Sequence, residues 1–187
     1  EQDDLSKGNL VEKDILKNIL PVADKETPVA LTTFQLELIS LQLSYKDLYF
    51  TQRSLNNDDE IRKTYCIHAL NHALKAQNLI NSNSLKLANS SEPNLADDDS
   101  FRDQGFVRPK VLILVPFRES AFRVVEMMKE LLAKKEKPRV LNYQRFVDEY
   151  TGSNLSFPKI KRKPEDYEKT FAGNTDDNFR IGISLKR

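Results

Sequence analysis

Glycine is scarce in this chain: there are five, and none lies between Gly8 and Gly105. A loop that cradles phosphate needs glycines, because consecutive backbone N–H groups converge on an anion only where no side chain intervenes. The gap therefore argues against a phosphate loop in the first half of the sequence. Cysteine is nearly absent too. Cys66 stands alone, so no intrachain disulfide forms, and a reducing compartment is the simpler expectation. No apolar run approaches the roughly 20 residues that cross a bilayer, and Glu1-Gln-Asp-Asp-Leu5 has neither the basic start nor the apolar centre of a signal peptide. A soluble, intracellular protein is expected. Nor does one sign of charge dominate: 29 basic side chains against 28 acidic give +1 at pH 7, so electrostatic arguments must be local. With 187 residues the chain suffices for one domain, or for one domain and an arm.

What is present is organised around 111–115, Val-Leu-Ile-Leu-Val, closed by Pro116. A strand with no polar alternation needs cover on both faces, as in a parallel sheet flanked by helices. Pro116 cannot continue a ladder, and Ala121, Val124, Val125, Met128, Leu131 and Leu132 then recur at helical spacing. The unit reads as strand, turn and helix in an α/β fold. Ligands of open α/β sheets gather at such turns, where helix N-terminal donors face outward. Arg118 occupies this one, although a solvated helix start accounts for Arg118 and Glu119 as well.

Residues 1–28 read as an arm whose Val11, Ile15, Leu16, Ile19 and Leu20 form one helical stripe stopped by Pro21. A second helical pattern runs from Leu31 through Leu36, Leu38, Ile39, Leu41 and Leu43, followed by a short aromatic strand over 48–51. A third helix is expected from about Asp58 to about Ile80, with Asn57 and Glu60 as its cap. From about 81 to 105 the composition turns to Asn, Ser and Asp, too polar to offset the entropy of ordering, and a mobile insertion is expected. Val140, Leu141, Phe146, Val147 and Tyr150 suggest a short helix, and 179–185 alternates like a strand. There is no internal repeat. The lack of a covering helix after that last strand suggests part of a larger protein.

Several chemistries were weighed on these residues. Lys63-Thr64 stands where a phosphate loop would place its Lys-Thr pair, but Asp58, Asp59 and Glu60 put carboxylates where a polyphosphate would lie. His68 and His72 are one turn apart near Cys66, yet Ala69 stands where a zinc-protease motif needs Glu, so packing is the better account. Asp176 and Asp177 suit Mg²⁺, and suit a turn equally. Lys159, Lys161, Arg162 and Lys163, between Phe157 and Tyr167, mix charge and aromatic faces as RNA-contacting surfaces do; Glu165, Asp166 and Glu168 dilute that field, and a solvated loop stays open.

Together these pieces resemble the front half of a DEAD-box helicase core. Thr32-Thr-Phe-Gln35 resembles its glutamine motif, Lys46-Asp47-Leu48 the approach to its first strand, and Val115-Pro116-Phe117-Arg118-Glu119-Ser120-Ala121 its RNA-backbone motif V-P-T-R-E-L-A, with Phe117 in place of Thr. With the run 163–179, the chain is similar to the digestive organ expansion factor family, helicase-like U3 small nucleolar RNA-associated proteins of the small-subunit processome. The resemblance spans about 30–185 and is most specific over 108–119 and 171–179.

The resemblance implies a RecA-like parallel sheet flanked by helices over 29–187, only the front half of a helicase-like core, after an N-terminal helical arm. It implies a nucleolar, non-catalytic role in pre-ribosomal RNA processing, with no cofactor, metal, small-molecule substrate or membrane. Partners would be pre-ribosomal RNA or U3 small nucleolar RNA and processome assembly factors. Contact would run through Phe117, Arg118, Lys159, Lys161, Arg162 and Lys163. An active ATP-dependent RNA helicase is the alternative, with Gln35 and Lys63 on adenine and phosphate in an atypical nucleotide site. A purely protein-binding platform is a third.

Overall fold

The computed structural model describes residues 31–89, 101, 103, 108–133, 140–152 and 164–185. The arm over 1–28 and the basic residues Lys159, Lys161, Arg162 and Lys163 lie outside the described residues.

Helix α1 (Thr33–Leu43) starts at a capping box. Thr32 Oγ1 accepts from Gln35 N at 3.2 Å and Gln35 Oε1 accepts from Thr32 N at 3.1 Å, which satisfies two otherwise orphaned donors. The helix ends at Ser44, and Tyr45 turns the chain away with φ of 54°. Helix α2 (Asp58–Asn89) opens on three acids, favoured by the positive end of the helix dipole. It buries Ile67, Leu70, Asn71 and Leu74, a stripe at three- and four-residue spacing. Glu60 does not close the cap expected with Asn57: its carboxylate accepts from the Thr32 hydroxyl at 2.9 Å, and Asn57 Oδ1 accepts from Ser54 N at 2.7 Å.

α2 also continues to Asn89 rather than ending near Ile80, so it takes up the first part of the expected insertion. Asn and Ser each cost a helix only about 0.5 kcal/mol relative to Ala, and no Gly or Pro interrupts 81–89. A helix already nucleated by its packed first half therefore propagates through them. Asn83 is buried and donates to Asp103 Oδ2 at 2.9 Å. Among the described residues no helix is long and apolar enough to cross a membrane.

Helix α3 (Arg118–Leu132) presents Val124, Met128 and Leu131 to α2. The core forms where α1, α2 and α3 meet, around Ile39, Cys66 and Ile67, all at 0% exposure. Burying each isoleucine contributes about 1.5–3 kcal/mol. Helix α4 (Tyr143–Thr151) packs on the outer side of α3 through aromatic rings, Phe122 on Phe146 at 5.7 Å. Helix α5 (Glu165–Thr170) is a short turn before the loop at 171–178.

The expected parallel sheet is not present among the described residues: 48–51, 111–115 and 179–185 form no strand. A ladder requires a neighbouring backbone about 4.8 Å away, and no backbone hydrogen bond joins these segments to one another. Residues 112–115 nevertheless keep a strand's alternation. Ile113 and Val115 pack on the helical core, while Leu112 and Leu114 are 82% and 84% exposed. The expectation of cover on both faces is thus met on one face only.

Candidate functional site

The turn after 111–115 is built from two distant stretches. Its backbone donors are the first amides of α3: Arg118 N donates to Asp176 O and Glu119 N to Asn174 O, each at 3.0 Å. The loop carrying those carbonyls holds itself in shape with alternate side chains. Asp176 N donates to Asn174 Oδ1 at 3.0 Å, and Asn178 N to Asp176 Oδ1 at 2.8 Å, which are Asx turns. Gly173 makes the approach feasible: its φ is +83°, and a Cβ there would lie 2.4 Å from Glu119 Oε2.

Arg118 closes the arrangement from its side chain. Nη2 donates to Asn178 O at 3.0 Å and pairs with Asp176 Oδ2 at 3.1 Å, while Nη1 donates to Glu149 O at 3.3 Å. The guanidinium also stands 5.4 Å from the Tyr150 ring centroid, within cation–π range. Burial pushes the Tyr150 hydroxyl above its ordinary pKa, with Arg118 opposing. Asn174 Nδ2 shares the Glu149 carbonyl at 3.1 Å, so the end of α4 is tied to the same knot. Phe117, the residue before α3, stacks against Phe171 at 5.5 Å, and Phe171 against Tyr167 at 4.6 Å.

The two stretches that carry the family resemblance, 108–119 and 171–179, are therefore one structural unit. The turn expected to offer free donors to a ligand has its first two amides occupied by the chain's own carbonyls, and Arg118 already holds a carboxylate. Sequence reading found Arg118 and Phe117 but not Glu149, Tyr150, Asn174 and Asn178 as their partners. The visible signal was the alternation Asn174, Asp176, Asn178, the spacing of successive Asx turns.

The residues resembling nucleotide motifs lie on α1 and α2. Gln35 is buried, its Nε2 donating to Glu60 O at 3.4 Å while its Oε1 serves the capping box. Thr64 is fully buried; its hydroxyl donates to Ile61 O at 2.9 Å and accepts from Gln42 Nε2 at 3.2 Å. Burial lowers the Lys63 pKa, and Glu130 partly offsets this. The carboxylates of Asp58 and Asp59 are paired with the buried Arg62, and Asp58 also with Arg53. His68 and His72 pack around Tyr45, whose ring lies edge-on at 5.1 and 5.7 Å, with the Tyr45 hydroxyl 2.8 Å from His72 Nδ1.

Residues 45–187 match the family model described as UTP25, NTP hydrolase-like domain. The U3 small nucleolar RNA-associated protein 25 homolog of Xenopus tropicalis is 47% identical over 157 residues, 82% of this chain and 20% of its own length. The Homo sapiens homolog is 45% identical over 157 residues, 82% of this chain and 21% of its own. The U3 small nucleolar RNA-associated protein 25 of Schizosaccharomyces pombe is 35% identical over 180 residues, 96% of this chain and 26% of its own. The chain thus spans about a fifth to a quarter of the length of these relatives. No solved structure matches it. The chain belongs to the UTP25 family, which is the digestive organ expansion factor family that 108–119 and 171–179 resemble.

Proposed function

We propose that this chain is a non-catalytic, helicase-like attachment module that works in the nucleolus, within the particle that processes pre-ribosomal RNA for the small subunit. The U3 small nucleolar RNA association printed in its relatives' names supports that setting. In this reading 29–187 is part of a RecA-like domain, preceded by an arm over 1–28. What carries the non-catalytic part is the internal engagement of the side chains that a nucleotide would need. The Gln35 amide and the Thr64 hydroxyl are both buried and hydrogen-bonded within the chain, and no glycine stands in the segment between them. Withdrawing such groups from their partners costs about 1–3 kcal/mol each before any ligand contact forms.

Attachment in this proposal uses the α3 start and the basic segment that precedes α5. Arg118 takes an RNA phosphate or an acidic partner group by exchanging it for the Asp176 carboxylate. That carboxylate is 46% exposed, so the exchange removes little new charge from water. Phe117 lends an aromatic face, and Lys159, Lys161, Arg162 and Lys163 supply attraction at longer range.

Two titrations of the intact protein test this. ATP with Mg²⁺ is expected to show no saturable binding up to about 1 mM, weaker than about −4 kcal/mol, and Lys63→Ala to change nothing. Tight binding abolished by Lys63→Ala would establish the helicase reading instead. In the second, RNA affinity is followed against salt. Replacing Lys159, Lys161, Arg162 and Lys163 with Ala should flatten the log–log slope by about 3, four contacts at about 0.7 each. An unchanged slope would remove RNA from these residues and leave the protein-binding platform.

A further inference from the structure

We propose that the groove beside 110–116 is the seat of an apolar β-strand contributed by the same polypeptide from outside these 187 residues. The groove encloses about 1100 Å³. One wall is the whole run from Lys110 to Pro116, the opposite rim is the 53–55 turn that leads into α2, and the floor is the α2 face bearing Arg62, Tyr65 and Ala69. Those floor positions are three and four apart, so they form one continuous helical stripe.

Three observations define what fits there. The first is backbone chemistry. Residues 110–115 form no backbone hydrogen bond with any other segment among the described residues, although buried or half-buried backbone donors and acceptors are almost always paired. A wall about 23 Å long, seven residues at about 3.3 Å each, is an unpaired sheet edge of ordinary strand length. The second is polarity. Five consecutive apolar residues line that wall, so the occupant's own side chains must be largely apolar.

The third concerns charge. Arg53 and Arg62 lie on the groove but already pair with Asp58 and Asp59, Arg123 pairs with Glu119, and Lys169 pairs with Glu165. A nucleic acid backbone laid here would meet cations that are already neutralised, beside the further carboxylate of Asp166. A strand needs no such cations, because its affinity comes from main-chain hydrogen bonds and alternate side-chain pockets. The source is argued from length. Relatives carry about four-fifths of their residues outside the stretch this chain matches, and a covalently attached strand reaches the slot at high effective concentration. Its arrival also begins a second layer over Leu112 and Leu114, which the helices leave bare.

The test is thiol accessibility and crosslinking in the intact protein. Leu112→Cys and Leu79→Cys are exposed sites here, at 82% and 57%, and Cys66 is buried with its thiol pushed up to about 12, so it reacts little. Alkylation by N-ethylmaleimide, read peptide by peptide, should be more than ten-fold slower at position 112 than at position 79. A photo-crosslinker at Leu114 should capture peptides of the same polypeptide from outside these residues, independently of protein concentration. Equal alkylation rates would overturn the proposal. So would crosslinks to RNA or to another protein, and so would protection that disappears on dilution, the mark of a second copy pairing along this edge.

Discussion

On α2, His68 and His72 sit one turn apart in contact with the same tyrosine, and they differ in what their rings meet. The Tyr45 hydroxyl is 2.8 Å from His72 Nδ1, while His68 Nδ1 is buried without a hydrogen-bond partner. Burial, and secondarily the neighbouring His72, hold the His68 pKa below its ordinary value near 6.5. The neutral ring is therefore the form the fold prefers. With a folded pKa depressed below the unfolded one, the stabilisation is fully present above about pH 6.5 and is lost as pH falls through the lowered folded value. Urea denaturation between pH 7.5 and 5 should show this loss, and His68→Gln should make the profile flatter. An unaltered profile in that variant would assign the loss to other groups. The packing role of this residue was legible from the missing third ligand and from Ala69. Its partner was not, because Tyr45 reaches it from a left-handed turn that nothing in the local pattern announces.

At the scale of elements, helices were readable and their closures were not. Periodicity located α1, the first half of α2, α3 and α4, because each buries a stripe on one core. Thr32-Thr-Phe-Gln35 shows how one four-residue string carries two readings. It resembles a nucleotide-binding motif and is also the S/T-x-x-E/Q pattern of a capping box, which is what its side chains form. The far end of α2 was missed because composition measures the burial a segment brings with it, whereas a helix extended from a packed neighbour needs only the absence of breakers.

The closure of α3 depends on a contact across more than fifty residues, and that contact has a single weak point. At Gly173 any side chain meets both a positive φ and the Glu119 carboxylate, which is itself paired with Arg123 at 3.1 Å. Gly173→Ala should cost about 1–3 kcal/mol through strain at that φ and displacement of the loop from the first amides of α3. Chemical denaturation measures the cost directly. A variant as stable as the parent would mean that the loop and helix are not coupled as the hydrogen bonds to Asp176 and Asn174 indicate.

In the molecule as a whole, apolar surface is divided unequally: one helical layer closes on itself, and segments expected to form a sheet lie on it with an outer face bare. That division explains why 111–115 read as a strand buried on both sides. The sequence of a strand records all the neighbours it has in the complete protein, and this chain is about a fifth to a quarter of its relatives' length. The same division sets a gradient of local stability, since opening free energies follow buried contacts rather than secondary structure. α2 crosses it end to end. Cys66, Ile67, Leu70, Asn71 and Leu74 are buried at the meeting point of three helices, whereas Leu79 and Leu85 are 57% and 65% exposed farther along. Hydrogen exchange of the intact protein should therefore find amides of 66–74 exchanging at least a hundred-fold more slowly than those of 84–89, a difference of about 2.7 kcal/mol in opening free energy. Equal protection along the helix would mean that the distal half is covered by a surface that 31–185 do not supply.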